Sequence, residues 1–516
     1  MASGNLNAAQ RRSGSNNAGR LGHELGAVPQ TQQVLRPNGT ENGRAFPDES
    51  SLPFLEPIRS RFVSSDCAVA FARSLGVDLQ IPDPPPIHPY AWKPNIRPEL
   101  KLPIPSSIVR LVTQEDIHYY SSIYFEEIHP LYGFLDREAF FLQCEHLRGP
   151  NPPRRDFEAV LCGVIVLGSL FTHSVPCTVE TQLAENARMI LEMTVSQPGE
   201  YLSLYHVAGW ILRTMYLRLT TRPHLSWITS CIMINIAESI GLHQEFMNLR
   251  LTTPHGPRML SPEELELRRR TFWVAWSLNK FFSAEVGRSK AGLDNIGCRQ
   301  FNPKAGDHTE DLIELAHMLP DFTPQGSDLS EMTRRNVVFD NLLKMPSNLP
   351  AIALLKTDVC FALYRRYRLS NVKMSKDQIS TILTIAQEGL DQAIVLSKKK
   401  RPWWNLLSVP FQCICVLLSI DTRESLVMVN PALDVLVQLE EVYQTELGAE
   451  SVSMARHLVK SSRQKKEFEM GLLEEPQKKE AVFDMSKADF VFPSTIEWPT
   501  EDLSGWALFF TGNTYL

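Results

Sequence analysis

The sequence predicts an all-α protein, a large helical array, and three observations carry that prediction. Apolar residues recur at helical spacing behind explicit helix-start signals. No stretch alternates apolar and polar residues with hairpin turns, and no internal repeat of fixed length occurs. Two apolar runs, Ala159–Phe171 of 13 residues and Leu406–Ile420 of 15, fall short of the roughly 20 that span a bilayer. They read as buried core helices, the second holding Pro410.

In chain order, residues 1–50 are rich in Gly, Asn, Ser, Gln and Arg, and are expected to be disordered and of low complexity. Arg11, Arg12 and Arg20 precede the first acid, Glu24, as in a mitochondrial presequence, but the apolar stripe such a segment needs is missing. No apolar signal-peptide core stands in residues 1–45. Residues 51–112 are expected as a proline-rich linker, densest in proline over 80–105, where regular helix is forbidden.

Helices separated by short polar loops are expected from 113 to 470. One starts near Pro223, runs through Trp227, Ile228, Ile232, Ile236, Ala237 and Ile240, and stops at Gly241. The next starts at Ser261-Pro-Glu-Glu264. Ser261 caps the free amides, Pro262 suits the first helical position, and Glu264 closes a capping box. Phe272, Trp273, Trp276, Phe281 and Phe282 then imply deep burial. The same box recurs at Ser375-Lys-Asp-Gln378, followed by the stripe Ile379, Ile382, Leu383, Ala386, Leu390, Ala393 and Ile394.

Residues 471–516 change character. From 484 onward five acids (Asp484, Asp489, Glu497, Glu501, Asp502) stand against Lys487 alone, mixed with Phe490, Phe492, Trp498, Trp506, Phe509 and Phe510. Such an acidic–aromatic tail is a candidate activation segment that offers aromatics to a coactivator groove. The same aromatics could equally pack back onto the helical body.

At 516 residues, 43% hydrophobic and 21% charged, the composition is that of a globular protein, long enough for two to four packed units. A net charge of −6 argues against a wholesale nucleic-acid-binding surface. The nine cysteines are scattered, which fits reduced thiols rather than a disulfide framework. Cys413 and Cys415 are the closest pair, but about 200° apart on a helix they cannot share a metal, and no Cys-x-x-Cys occurs. No phosphate-binding glycine loop, nucleophile elbow or His-Glu-x-x-His pair is present, so no catalytic, cofactor or metal residue is assigned. Single histidines such as His206 and His243 read as hydrogen-bonded structural residues.

Each basic cluster has two readings. Lys398, Lys399, Lys400 and Arg401 form a candidate nuclear import signal, or else cations that suit a helix C-terminus. Arg268-Arg269-Arg270 is expected to pair with Glu264 and Glu266 rather than to touch DNA. Arg365-Arg366 and Arg463 to Lys466 read as solvated helix faces.

Three phrases occur in register. They are Tyr124-Phe-Glu-Glu-Ile-His-Pro-Leu-Tyr-Gly-Phe-Leu-Asp136; Tyr205-His-Val-Ala-Gly-Trp210 leading to Ile236-Ala-Glu-Ser-Ile-Gly-Leu-His243; and Glu266-Leu-Arg-Arg-Arg-Thr-Phe-Trp273 leading to Val286-Gly-Arg288. Their order and spacing resemble the middle homology region of fungal transcription factors, the regulators usually headed by a Zn(II)2Cys6 cluster. The resemblance is clear over 120–300 and fainter to about 420, where it includes Arg401-Pro-Trp-Trp404. Phe125, Ile128, Leu131, Tyr132 and Phe134 are expected to bury around Pro130. Arg270 and Trp273 are expected to anchor their helix, and Gly287 to turn the chain so that Arg288 reaches the acids of the Glu266 helix. His129, Asp136, Trp210, Leu242 and Arg269 complete the set of motif residues with structural roles.

The resemblance implies a nuclear regulator whose middle region is an inhibitory or effector-responsive body. It also implies an upstream six-cysteine zinc cluster, but Cys67 is the single cysteine between Met1 and Ile123, so no cofactor is expected in this chain. Expected partners are a homo- or heterodimeric transcription factor and a coactivator at the tail. DNA is expected only indirectly or through an upstream module, and no membrane is expected. The alternatives are a helical scaffold or adaptor, and an enzyme with an unrecognised helical pocket.

Overall fold

The structure, a computed structural model, describes residues 54–55, 61–64, 67–82, 107–173, 175, 177–196, 202–221, 223–246, 250–251, 260–293, 295–320 and 329–474. The segment 1–50, the proline-dense stretch 83–106 and the tail from 475, with all its candidate activation residues, lie outside them.

Capping chemistry sets where the helices begin. Helix α2 (Gln114–Glu127) starts at Thr113, whose side chain accepts the Asp116 amide while Asp116 accepts the Thr113 amide. Asp136 caps α3 (Arg137–Glu145) by accepting the Ala139 amide at 2.8 Å. Helices α4 (Arg155–Leu170), α5 (Thr178–Ser196), α6 (Leu204–Thr220) and α7 (Pro223–Ser239) follow. Beyond α7, Gly241 takes φ of +70°, and the Gly241 and Leu242 amides return to Glu238 and Ala237. The left-handed turn there favours glycine, as expected.

Both expected capping boxes form, at Ser261 for α8 (Pro262–Glu285) and at Ser375 for α12 (Lys376–Lys398). Between and after them lie α9 (Thr309–Met318), α10 (Leu329–Lys344), α11 (Pro350–Leu369), α13 (Ser408–Ile420), α14 (Arg423–Val427), α15 (Val429–Tyr443) and α16 (Glu446–Glu474). On α12 the buried face centres on Ile382, Ile385, Ala386, Leu390, Ala393 and Leu396, while Ile379, Leu383 and Ile394 sit at its margin.

The expected linker 51–112 holds more order than its prolines suggested. Helix α1 (Ala68–Asp78) lies in it, with two two-residue strands, β1 (Phe54–Leu55) and β2 (Phe62–Val63). Strand β1 pairs antiparallel with β2 and parallel with β3 (Arg250–Leu251). Residues 61–79 contain no proline, so nothing opposes a helix there.

Helix α4 is the centre of the first half, packed on α2, α5 and α6; contacts then pass from α6 to α7 and from α7 to α8. Residues 159–167 of α4 are almost inaccessible all round, which explains why this run lacks a polar face. The chain continues from α8 through α9 to α11, which packs on α12 and α13, and α13 meets α15 and α16. One continuous apolar core threads both halves. Among the described residues no helix is long and apolar enough to cross a membrane.

At Gly168 the backbone of α2 lies directly against α4. A Cβ placed there would lie 2.1 Å from the Tyr120 carbonyl oxygen. Glycine at this position is a packing requirement, since α2's backbone occupies the space.

Candidate functional site

The motif residues converge on one irregular segment, 295–308, and fasten it to the helices. Helix α8 presents Glu266, Arg270 and Trp273 along one face, at spacings of four and three. Arg270 is only 2% exposed, an environment in which a guanidinium needs partners on several sides. It donates to Glu266 at 3.2 Å, to the Asn302 carbonyl at 2.5 Å and to the Asp307 carboxylate, and lies 4.2 Å from the Phe301 ring centroid. Glu266 also accepts the Asn302 amide at 2.9 Å, and Trp273 donates its indole N–H to the Arg299 carbonyl at 2.9 Å.

The turn after α7 holds the near end of the segment. The His243 carbonyl accepts the Gly297 and Cys298 amides, each at 2.9 Å. Glu245 takes Arg269 at 2.6 Å and the Arg299 amide at 3.3 Å. Burial works to raise the Glu245 carboxyl, but Arg269's bonds and charge with the Arg299 amide outweigh it and leave its pKa below the usual carboxylate range. At the far end the Pro130 carbonyl accepts the His308 amide at 2.7 Å, and Thr309 accepts the Gly133 amide at 2.8 Å. Phe125, Ile128, Leu131, Tyr132 and Phe134 are all buried beside that contact. Trp210 and Leu242 are buried too.

Arginines 268–270 are thus spent inside the fold. Arg268 donates to the Ile240 carbonyl at 3.2 Å and lies over the Phe246 ring, while Glu264 serves the helix cap. One expectation is corrected. Gly287 does turn the chain, with φ of +65°, but Arg288 does not reach the acids of α8. It hydrogen-bonds with His224 and stands 4.6 Å from the Trp227 ring centroid, because the turn sends it toward the start of α7.

Three histidines of the motifs are held neutral. Burial lowers the pKa of His129 to about 4, with Asp307 opposing and Arg270 assisting. Burial does the same to His243, also to about 4, and His243 Nδ1 has no partner. Burial also lowers the pKa of His206 to about 4, against the pull of Asp156, and His206 bonds with Ser203 and Thr194. The unfolded chain takes up protons near pH 6.5 while the folded chain resists until about 4. Stability contributed by these three groups is therefore complete above pH 6.5 and is lost as pH falls toward 4. Urea midpoints measured from pH 7.5 to 4.5 are expected to fall, more shallowly in His243→Gln; an unchanged slope in that variant would refute the assignment.

A second constellation was not anticipated from the sequence. A cleft of about 800 Å³ opens between α8, α11 and α13, walled by Phe281, Leu319, Leu355, Trp404 and Val416. Asp358 of α11 accepts the Asn405 amide group at 3.1 Å and the Gln412 amide group at 3.2 Å. The Gln412 oxygen in turn accepts from Arg365. Glu285 is held by Arg218, with one bond at 2.8 Å. Arg365, expected on a solvated helix face, lines this cleft and is also exposed. These residues are far apart in sequence. Their signal in the sequence was Lys356 and Asp358, two charges inside the otherwise uncharged and mainly apolar stretch from Ala351 to Leu363.

The cleft lacks the parts of a catalytic site. Among the described residues no histidine lines it, burial raises the Cys415 thiol, and the Ser419 hydroxyl is engaged by Tyr364 at 2.8 Å. No nucleophile there stands against a base.

A family model described as the fungal specific transcription factor domain matches residues 121–385, from α2 into α12. The chain belongs to the fungal-specific transcription factor family. The protein named RDR1 of Saccharomyces cerevisiae is 33% identical over 87% of this chain and 84% of its own length. Transcription factor kojR of Aspergillus oryzae is 31% identical over 85% of this chain and 78% of its own. A probable transcriptional repressor of Schizosaccharomyces pombe, C1348.12, is 26% identical over 55% of this chain and 60% of its own. No solved structure matches. As a member of this family the chain is a nuclear, non-catalytic protein with a helical regulatory domain. The matched span contains the fastened 295–308 segment and all three motifs.

The binuclear zinc cluster of such transcription factors does not fit the residues present. Six thiolates must gather around it. Here Cys144, Cys162, Cys298, Cys360 and Cys413 are separately buried, and among the described residues no three His, Cys, Asp or Glu side chains group to hold a metal. Burial pushes Cys162 and Cys413 up to about 12, so both stay thiols. In the basic run ending α12, Lys398, Lys399 and Lys400 are exposed. Arg401 instead binds Glu127 and the Phe171 carbonyl, each at 2.7 Å, joining the two halves of the body.

Proposed function

We propose that the chain regulates RNA polymerase II genes through its helical body, together with a homo- or heterodimeric transcription-factor partner. The observation that carries this reading is the similarity to RDR1 and kojR over more than four-fifths of the chain. Control of a fungal specialised-metabolite or nutrient pathway is part of the same reading. Residues 471–516 serve as the coactivator contact in this reading, supported by their acidic–aromatic composition. DNA contact comes through the partner or through a module outside residues 1–123, because Cys67 alone cannot build the zinc cluster. That same cysteine count favours a second reading, an adaptor without DNA contact of its own.

Tethering tests the proposal. The full chain, and a form ending at residue 470, are fused to a heterologous DNA-binding domain above a reporter gene. The full chain is expected to change reporter output, and truncation at 470 is expected to remove any activation. A silent full-length fusion would defeat the regulator reading. Crosslinking the native protein to chromatin separates the two readings, since an adaptor with no part in transcription leaves promoters unoccupied.

A further inference from the structure

A helix without charges belongs where no face meets water. Among the described residues three helices hold long runs free of Asp, Glu, Lys and Arg: 159–170 in α4, 408–420 in α13 and 223–237 in α7. The first two obey the rule, since no residue of either run is exposed. Helix α7 does not. One face, centred on Ser230, Met233 and Ala237, is buried, and the helix packs on α6 and α8. The opposite face leaves Leu225 45% and Ile228 38% exposed, with Ile232 half-buried and Asn235 exposed beside them. These four positions follow one another at spacings of three, four and three, which is the seam of a helix pair.

The face also suits a copy of itself. A surface without charges does not repel its own image, as two-fold pairing requires. The charges at its two ends differ in sign. Arg288 stands over Trp227 at the start of α7, and half-buried Glu238 lies near its end. Antiparallel pairing sets each beside its opposite, whereas parallel pairing sets like beside like.

We propose that the chain forms a homodimer in which α7 of one copy pairs antiparallel with α7 of a second about a two-fold axis. Ile228 packs on the partner's Ile232 at the centre of the seam, and Leu225 on the partner's Asn235 toward its ends. Asn235 keeps its amide at the wet rim, where burial costs it no hydrogen bond. The proposal rests on the dimeric regulator reading above and gives that dimer its surface. One helix pair is a small interface, and small interfaces are weak and reversible. A dissociation constant on the order of 10 µM is expected.

Sedimentation velocity on the purified full chain, from about 1 to 100 µM, is expected to pass from monomer to dimer. Ile228→Glu places a charge in the seam twice over, and is expected to weaken association by roughly tenfold or more. Ile232→Lys is expected to do the same. An equimolar mixture of these two variants is expected to recover dimer, because antiparallel pairing sets the new acid of one copy against the new base of the other. Val427→Glu, at a 71% exposed position on α14, is the control and is expected to associate like the parent. Circular dichroism and urea midpoints identify any variant that fails to fold.

The unaltered chain supplies a test that needs no variant. The first amides of α7 have no intrahelical partner, so their hydrogen exchange reports cover and is expected to slow as concentration rises. A chain that stays monomeric throughout leaves this face bare or covered by something other than a second copy, and overturns the proposal. So does a dimer indifferent to a folded Ile228→Glu, a mixture that fails to associate, or exchange at the start of α7 that ignores concentration. A dimer beside a silent reporter defeats the transcriptional reading alone, whereas a monomer that drives the reporter defeats this pairing alone.

Discussion

Replacing Arg270 with methionine is expected to destabilise the fold by about 3–5 kcal/mol, the usual cost of removing one partner from a buried ion pair. Methionine restores the apolar stem but none of the donors. Asp307 is then left with uncompensated charge beside a buried interface, Glu266 keeps Arg269 alone as a cationic partner, at 4.0 Å, and the Asn302 carbonyl loses its donor. Domains of ordinary stability hold about 5–15 kcal/mol in all, so the loss is a large share of the total. Urea denaturation at pH 7 measures it. Adding Asp307→Asn should recover part of the loss, because it removes one stranded charge. A loss under about 1 kcal/mol would mean that the 295–308 segment is held by its backbone bonds alone.

Gly168→Ala should also destabilise strongly, by about 3 kcal/mol or more, and here the sign itself is informative. In an exposed helix interior the same change stabilises by up to about 1 kcal/mol, since alanine is the better helix former. Tertiary packing reverses this at Gly168, where the new methyl would meet the Tyr120 carbonyl oxygen at 2.1 Å. Backbone atoms of α2 cannot rotate away as a side chain could, so the two helices must separate. Gly471→Ala in α16 is the control. Nothing lies within 4 Å of a Cβ there, and that variant should be neutral or slightly stabilised. Thermal unfolding of both variants beside the parent checks the pair, and an unchanged midpoint for Gly168→Ala would show that α2 and α4 are not tightly seated.

Much of the local structure could be read before any coordinates. Ser261, Pro262 and Glu264 name the first turn of α8 by chemistry that acts over four residues. Gly241 likewise marks the end of α7 through a dihedral that other residues avoid. The resemblance carried by the three motifs identified the family, and Arg270 and Trp273 were recognisable as anchors. Their partners were not. Asp307, Asn302 and Arg299 sit 26 to 37 residues from the side chains they meet, in a segment with no periodicity to betray it. Arg288 shows the same limit from the other side, because a turn predicts a change of direction but not the new direction.

The sequence alone therefore determined the helix starts and stops, the helical class and the family, since each depends on interactions among residues close in the chain. Tertiary structure alone decided what the charged groups do. Arg365 and Arg270 are both arginines on amphipathic helices, yet one is consumed by carboxylates and the other is left with a neutral amide in an apolar cleft. That difference comes from which distant acids the packing brings within hydrogen-bond reach, and Coulomb energy falls off with distance in space, not with separation along the chain.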